Sequence, residues 1–92
     1  MPMLWLKLIK GATILRQTTL SFSAEELYEK DAVLGVLDQG VHLFDLSMPV
    51  VLPSHHSDWI QYHRAIFYAG DFVEEVSFDR MEAILFSDKA KR

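Results

Sequence analysis

Along residues 3–10 the side chains alternate. Leu4, Leu6 and Leu8 fall on one side of an extended backbone, and Met3, Trp5, Lys7 and Ile9 on the other. A period of two predicts a strand, because successive side chains of extended backbone point to opposite faces. Residues 13–22 form a second such segment, with Ile14, Arg16, Thr18, Leu20 and Phe22 sharing one parity, and their Thr and aromatic content favours strand. Gly11 supplies a permissive turn residue between Lys10 and Ala12, so the two strands form a hairpin. Arg16 interrupts an apolar parity, which predicts either a place near a sheet edge or a carboxylate partner.

After the hairpin the period changes. Ser23-Ala24-Glu25-Glu26 has the capping-box spacing, and Leu27, Leu34, Leu37, Val41 and Phe44 form a helical stripe. The predicted helix runs from about Ala24 to about Leu46 and stops before Pro49. Gly35 and Gly40 each weaken it by about 1 kcal/mol relative to Ala. A break at Asp38-Gln39-Gly40, followed by a strand over 41–46, is the alternative. Asp31 is either buried on the helix face, with Arg16 as partner, or caps a helix that begins after it.

The stretch 47–80 is an irregular loop with a short helix. Val50-Val51-Leu52 is extended between Pro49 and Pro53. Ser57 or Asp58 caps a helix over roughly 58–66, with Trp59, Tyr62 and Ile66 on one face. Gly70-Asp71 marks a turn, and 72–78 is a loop or short strand. Trp59, Tyr62, Phe67, Tyr68, Phe72 and Phe78 are expected to form a second small core beneath it. Met81–Phe86 is too continuously apolar for an edge and predicts a central strand buried on both faces. The result is a two-layer α+β fold: hairpin, helix and C-terminal central strand, β-grasp-like, with a right-handed crossover to a parallel last strand. Residues 1–87 make a single domain and 88–92 a flexible C-terminal tail.

Composition narrows the function classes. Half of the 92 residues are hydrophobic, which excludes a disordered chain, and the formal charge of −4 offers no basic excess for nucleic acid. With no Cys, disulfide scaffolds, thiolate metal sites and thiol nucleophiles are excluded. The early apolar run is followed, not preceded, by lysines, and no stretch reaches the roughly 20 apolar residues of a membrane helix. The expected compartment is the cytoplasm, with no membrane partner. The scattered glycines build no phosphate cradle, and no cofactor is expected.

The chemistry that remains is polar and clustered in the second half. His55, His56, Asp58 and His63 are weak metal-ligand candidates, since His56 and His63 on one helix would stand about 10 Å apart. Ser54-His55 and Ser57-Asp58 lack the turn that exposes a nucleophilic serine. Asp71, Glu74, Glu75 and Asp79 lie near Arg64 and Arg80 in sequence, a pattern suited to pinning an irregular loop by bidentate contacts.

Leu52-Pro53-Ser54-His55, then Trp59, Tyr62, Arg64 and Phe67, then Asp71-Phe72-Val73-Glu74 and Phe78-Asp79-Arg80-Met81-Glu82, make a recognisable series. This series resembles a group of short Firmicutes-type bacterial proteins to which no function is attached. The likeness covers roughly the C-terminal half and agrees loosely with the N-terminal hairpin. The chain departs from it at His56, His63, Gly70 and the longer segment 31–46. What the resemblance implies is a polar site at His55, Arg64, Asp79 and Arg80, with no activity, substrate or cofactor attached.

Two functions from different classes fit these features. One is a small non-catalytic binding or interaction domain, self-associating or holding a protein partner, with Met3, Trp5 and Ile9 as interface candidates. The other is a small enzyme or metal-binding protein using His55 with Arg64, Asp79 and Arg80. Protonating all four histidines takes the formal charge from −4 to 0. Solubility is therefore expected to pass through a minimum at about pH 5–6, measurable by precipitation across a pH series.

Overall fold

The computed structural model describes residues 2–24 and 29–87. The hairpin forms as the alternation predicts: β1 (Pro2–Lys10) and β2 (Thr13–Ser21) pair antiparallel around a turn whose Gly11 takes φ +60°. The register shifts between Leu8 and Ile9, so that Leu8 faces Arg16 and Ile9 faces Ile14. This bulge accommodates Leu15 as an extra residue on the edge strand. Arg16 lies on that edge with its guanidinium over the Phe44 ring at 5.1 Å, so among the described residues the cation meets an aromatic face and not a carboxylate.

Helix α1 (Lys30–Leu43) lies across the hairpin, with Val33, Val36, Leu37, Gly40 and Val41 as its buried stripe. Asp31 is exposed in its first turn, where a carboxylate suits the helix dipole. The segment 41–43 is helical, and the end comes earlier than predicted. Asp45 takes φ 61°, its N–H donates to the His42 carbonyl, and the Leu46 N–H donates to the Val41 carbonyl. This is a Schellman stop with Asp where Gly is usual, and Leu46 packs back on the core. Glu25–Tyr28, with the rest of the capping box and Leu27, lie outside the described residues, as does the tail 88–92.

Helix α2 (Pro53–Tyr62) starts five residues before its predicted beginning. Pro53 occupies the first helical position, where its missing N–H costs nothing, and so it opens a helix instead of extending a link. His63 ends the helix with φ 61°, its N–H donating to the Trp59 carbonyl, and the chain turns at once into β3 (Arg64–Tyr68). Ile66 continues the Trp59–Tyr62 spacing, which predicts helix through 64–66. In the structure Ala65 and Phe67 point inward while Arg64, Ile66 and Tyr68 point outward.

A short 3₁₀ turn (Ala69–Asp71) and the irregular 72–79 lead to β4 (Arg80–Ser87). The sheet order is β2-β1-β4-β3, with β4 central as predicted. It runs antiparallel to β1 and not parallel, because the additional strand β3 returns the chain to the opposite end of the sheet. The architecture is a two-layer α+β domain. Both helices cover one face, on which Leu4, Leu6, Leu8, Ala65, Phe67, Met81, Ala83 and Leu85 are buried. Trp59, Phe72 and Phe78 join that same core and form no separate one, whereas Tyr62 and Tyr68 are exposed. β4 is fully buried on one face at Met81, Ala83 and Leu85; on the other, Glu82 is buried and Arg80, Ile84 and Phe86 are half-buried.

The two helical glycines are not equivalent. A Cβ on Gly40 would collide with the Leu6 side chain and press on Leu20, whereas one on Gly35 meets nothing within 4 Å. Gly40→Ala is expected to destabilise the fold by about 1–3 kcal/mol through overpacking. Gly35→Ala is expected to stabilise it by about 0.5–1 kcal/mol. Urea denaturation of the two variants checks both signs.

Candidate functional site

The four polar positions singled out in the sequence do not converge. His55 sits in the first turn of α2, 6% exposed, with its ring stacked on Phe67 at a centroid distance of 4.1 Å. Its Nδ1 accepts the Leu52 N–H at 2.9 Å, which caps α2 and leaves the ring proton on Nε2. Nε2 faces Asp71 Oδ2 at 3.8 Å, beyond hydrogen-bond range. Arg64 is exposed at the start of β3, beside a shallow cleft of about 180 Å³ shared with Asp58, Tyr62, Ile66 and Tyr68.

Asp79 fastens the hairpin turn to the segment before β4. Its Oδ2 accepts the Gly11 N–H at 2.7 Å, its own N–H donates to the Ile9 carbonyl, and its carbonyl accepts the Ala69 N–H. Asp71 does similar work next door: Oδ2 accepts the Tyr68 N–H and the carbonyl accepts the Val50 N–H. Glu74 Oε2 accepts the Ser47 N–H at 3.5 Å. Among the described residues, carboxylates gripping backbone N–H groups, and not arginines gripping carboxylates, hold the irregular stretch. Among the described residues no buried side-chain nitrogen or oxygen lacks a hydrogen-bond partner.

The weak metal candidates also separate. His55 is engaged in the cap, His56 is half-buried, Asp58 belongs to the cleft beside β3, and His63 is the exposed left-handed residue that ends α2. Among the described residues no group of three or more His, Asp or Glu is placed to hold a metal ion.

The arrangement that does assemble lies on the sheet face left open by the helices. Reading across the strands, Ser21, Met3 and Phe86 form one row; Thr19, Trp5, Ile84 and Arg64 the next; Gln17, Lys7, Glu82 and Ile66 the third. Met3, Trp5, Ile66, Ile84 and Phe86 are half-buried and fall in adjacent rows of this face. Trp5 is fixed: its Nε1 donates to Gln17 Oε1 at 3.0 Å and Lys7 Nζ lies 4.4 Å from its ring centroid. Glu82, 8% exposed, is flanked by Lys7 Nζ at 3.3 Å from Oε1 and by Arg80 Nε at 3.4 Å from Oε2. Each of its oxygens meets a cation, so this buried carboxylate is compensated within the chain.

Met3 and Trp5, two of the interface candidates, lie on this open face. Ile9 does not serve in the same way, because it is 6% exposed between Ile14 and Arg80. Ile66, Ile84 and Phe86 were missed: the first was assigned to a helix and the other two to a strand buried on both faces. The signal available was the alternation of Arg80, Glu82, Ile84 and Phe86 against Met81, Ala83 and Leu85.

No protein-family model, no curated protein and no solved structure matches the chain.

If the polar residues serve the scaffold, their substitution changes stability in a graded way. His55→Ala is expected to cost about 2–4 kcal/mol, from lost packing and an unsatisfied Leu52 N–H. Asp79→Ala should cost about 1 kcal/mol, and Arg64→Ala should stay within about 0.5 kcal/mol. Chemical denaturation of the three variants gives the ranking.

Proposed function

We propose that this chain is a small non-catalytic interaction domain whose binding surface is the uncovered sheet face, and that its simplest occupant is a second copy of itself. The observation that carries this reading is the apolar group Met3, Trp5, Ile66, Ile84 and Phe86, in adjacent rows of a sheet whose other face already holds the core. Apolar surface of that kind gains free energy when a partner removes it from water. Within the Lys7–Glu82–Arg80 group the Glu82 carboxylate is already paired inside the chain and demands no cation from the partner. A two-fold arrangement then apposes identical patches.

The enzyme or metal-protein reading draws no comparable support. His55 is committed to its helix cap, Asp79 to the hairpin turn, and Arg80 to Glu82.

Sedimentation over a wide concentration range tests the proposal. The mass is expected to rise from monomer towards dimer, with Trp5 emission moving to shorter wavelength as the indole is covered. Ile84→Lys should weaken association by about tenfold or more. A monomer mass at every concentration, with Trp5 emission unchanged, is the contrary result.

A further inference from the structure

The helical layer contains a second concavity that the open sheet face does not involve. It lies between the first turns of α1 and the start of α2, with a volume of about 390 Å³, inside the range of roughly 300–1,000 Å³ typical of small-molecule sites. Leu34, Val51, Leu52, Pro53 and Trp59 make its apolar lining. Trp59 is a rigid part of that wall, because its Nε1 donates to the Ala83 carbonyl at 3.0 Å. Lys30, His56 and Ser57 complete the lining.

Charge sets the character of an occupant. The chain carries 13 acidic residues against 9 Lys and Arg, yet among the described residues no carboxylate lines this cleft and one lysine does. Lys30 opens α1, an end at which the helix dipole disfavours a cation, so its presence there does nothing for the helix. It is exposed and makes no ion pair among the described residues. A carboxylate placed against it would gain a charge-assisted contact while its apolar body leaves water.

We infer that this cleft binds a small amphiphilic carboxylate, its hydrocarbon body against Leu34, Val51 and Trp59 and its carboxylate on Lys30. The site is independent of the sheet-face reading, because it lies on the opposite side of the sheet.

The experiment uses the full chain carrying Trp5→Phe, which leaves Trp59 as the sole indole of the two in the sequence. Octanoate, 1-octanol and octylammonium, each kept below its micellar or solubility limit, are titrated against Trp59 emission. Octanoate is expected to give a saturable change, with 1-octanol and octylammonium binding roughly tenfold more weakly. Lys30→Met, a substitution at an exposed position, should lower octanoate affinity to that of 1-octanol and leave 1-octanol unchanged. No saturable response to octanoate overturns the inference, as does equal affinity for 1-octanol, or octanoate binding indifferent to Lys30→Met. Sedimentation of the same samples separates this result from self-association, since ligand binding in the cleft leaves the mass unaltered.

Discussion

A sheet has two faces, and α1 and α2 both lie on the same one. That constraint organises the molecule. On the covered side the rows Leu20–Leu4–Leu85 and Thr18–Leu6–Ala83–Ala65 meet the helices, and Gly40 lets α1 approach Leu6 closely. On the other side the same strands present Met3, Trp5, Ile84 and Phe86 to their surroundings. The period of two along β1 and β4 makes the second surface an unavoidable companion of the first. Only its composition is open to choice, and here Met3, Trp5, Ile66, Ile84 and Phe86 lie among Ser21, Thr19, Gln17, Lys7, Glu82 and Arg64.

The charged row across the open face fits this view. Glu82 is nearly buried, and a carboxylate in that position would be costly without compensation. Lys7 opposite it on β1 and Arg80 two residues earlier on β4 provide that compensation. The ion pairs thereby keep one row of the face polar without leaving the carboxylate for a partner to match. In the irregular half, polar groups act on backbone instead. Asp71 and Asp79 accept the Tyr68 and Gly11 N–H groups and fix the connection from β3 to β4, while His55 accepts the Leu52 N–H at the start of α2.

Much of the fold was legible in the sequence, and the failures have physical causes. The hairpin and the central β4 were readable because alternation, Gly11 and a dense apolar run all agree. β3 was hidden because Ile66 satisfies helical spacing from Trp59 and two-residue spacing from Arg64 at once. The end of α1 was hidden because Asp45, and not Gly, adopts the left-handed conformation. The start of α2 was hidden because Pro53 is compatible with both an extended link and a first helical turn. At the candidate site, Met3 and Trp5 were readable from β1 alone. Their partners on β3 and β4 depended on a sheet topology that local patterns do not specify.

One face of β1 and β4 is spent on the core, and the proposal is that the other receives a partner. Methyl resonances recorded with a soluble paramagnetic agent, from dilute to concentrated protein, test it most directly. The account predicts that Leu4, Leu6, Leu8 and Leu85 methyls stay unbroadened throughout. Met3, Ile66 and Ile84 methyls should broaden strongly in dilute protein and lose that broadening as the concentration rises. Open-face methyls protected even at high dilution, or broadened equally at every concentration, would contradict it.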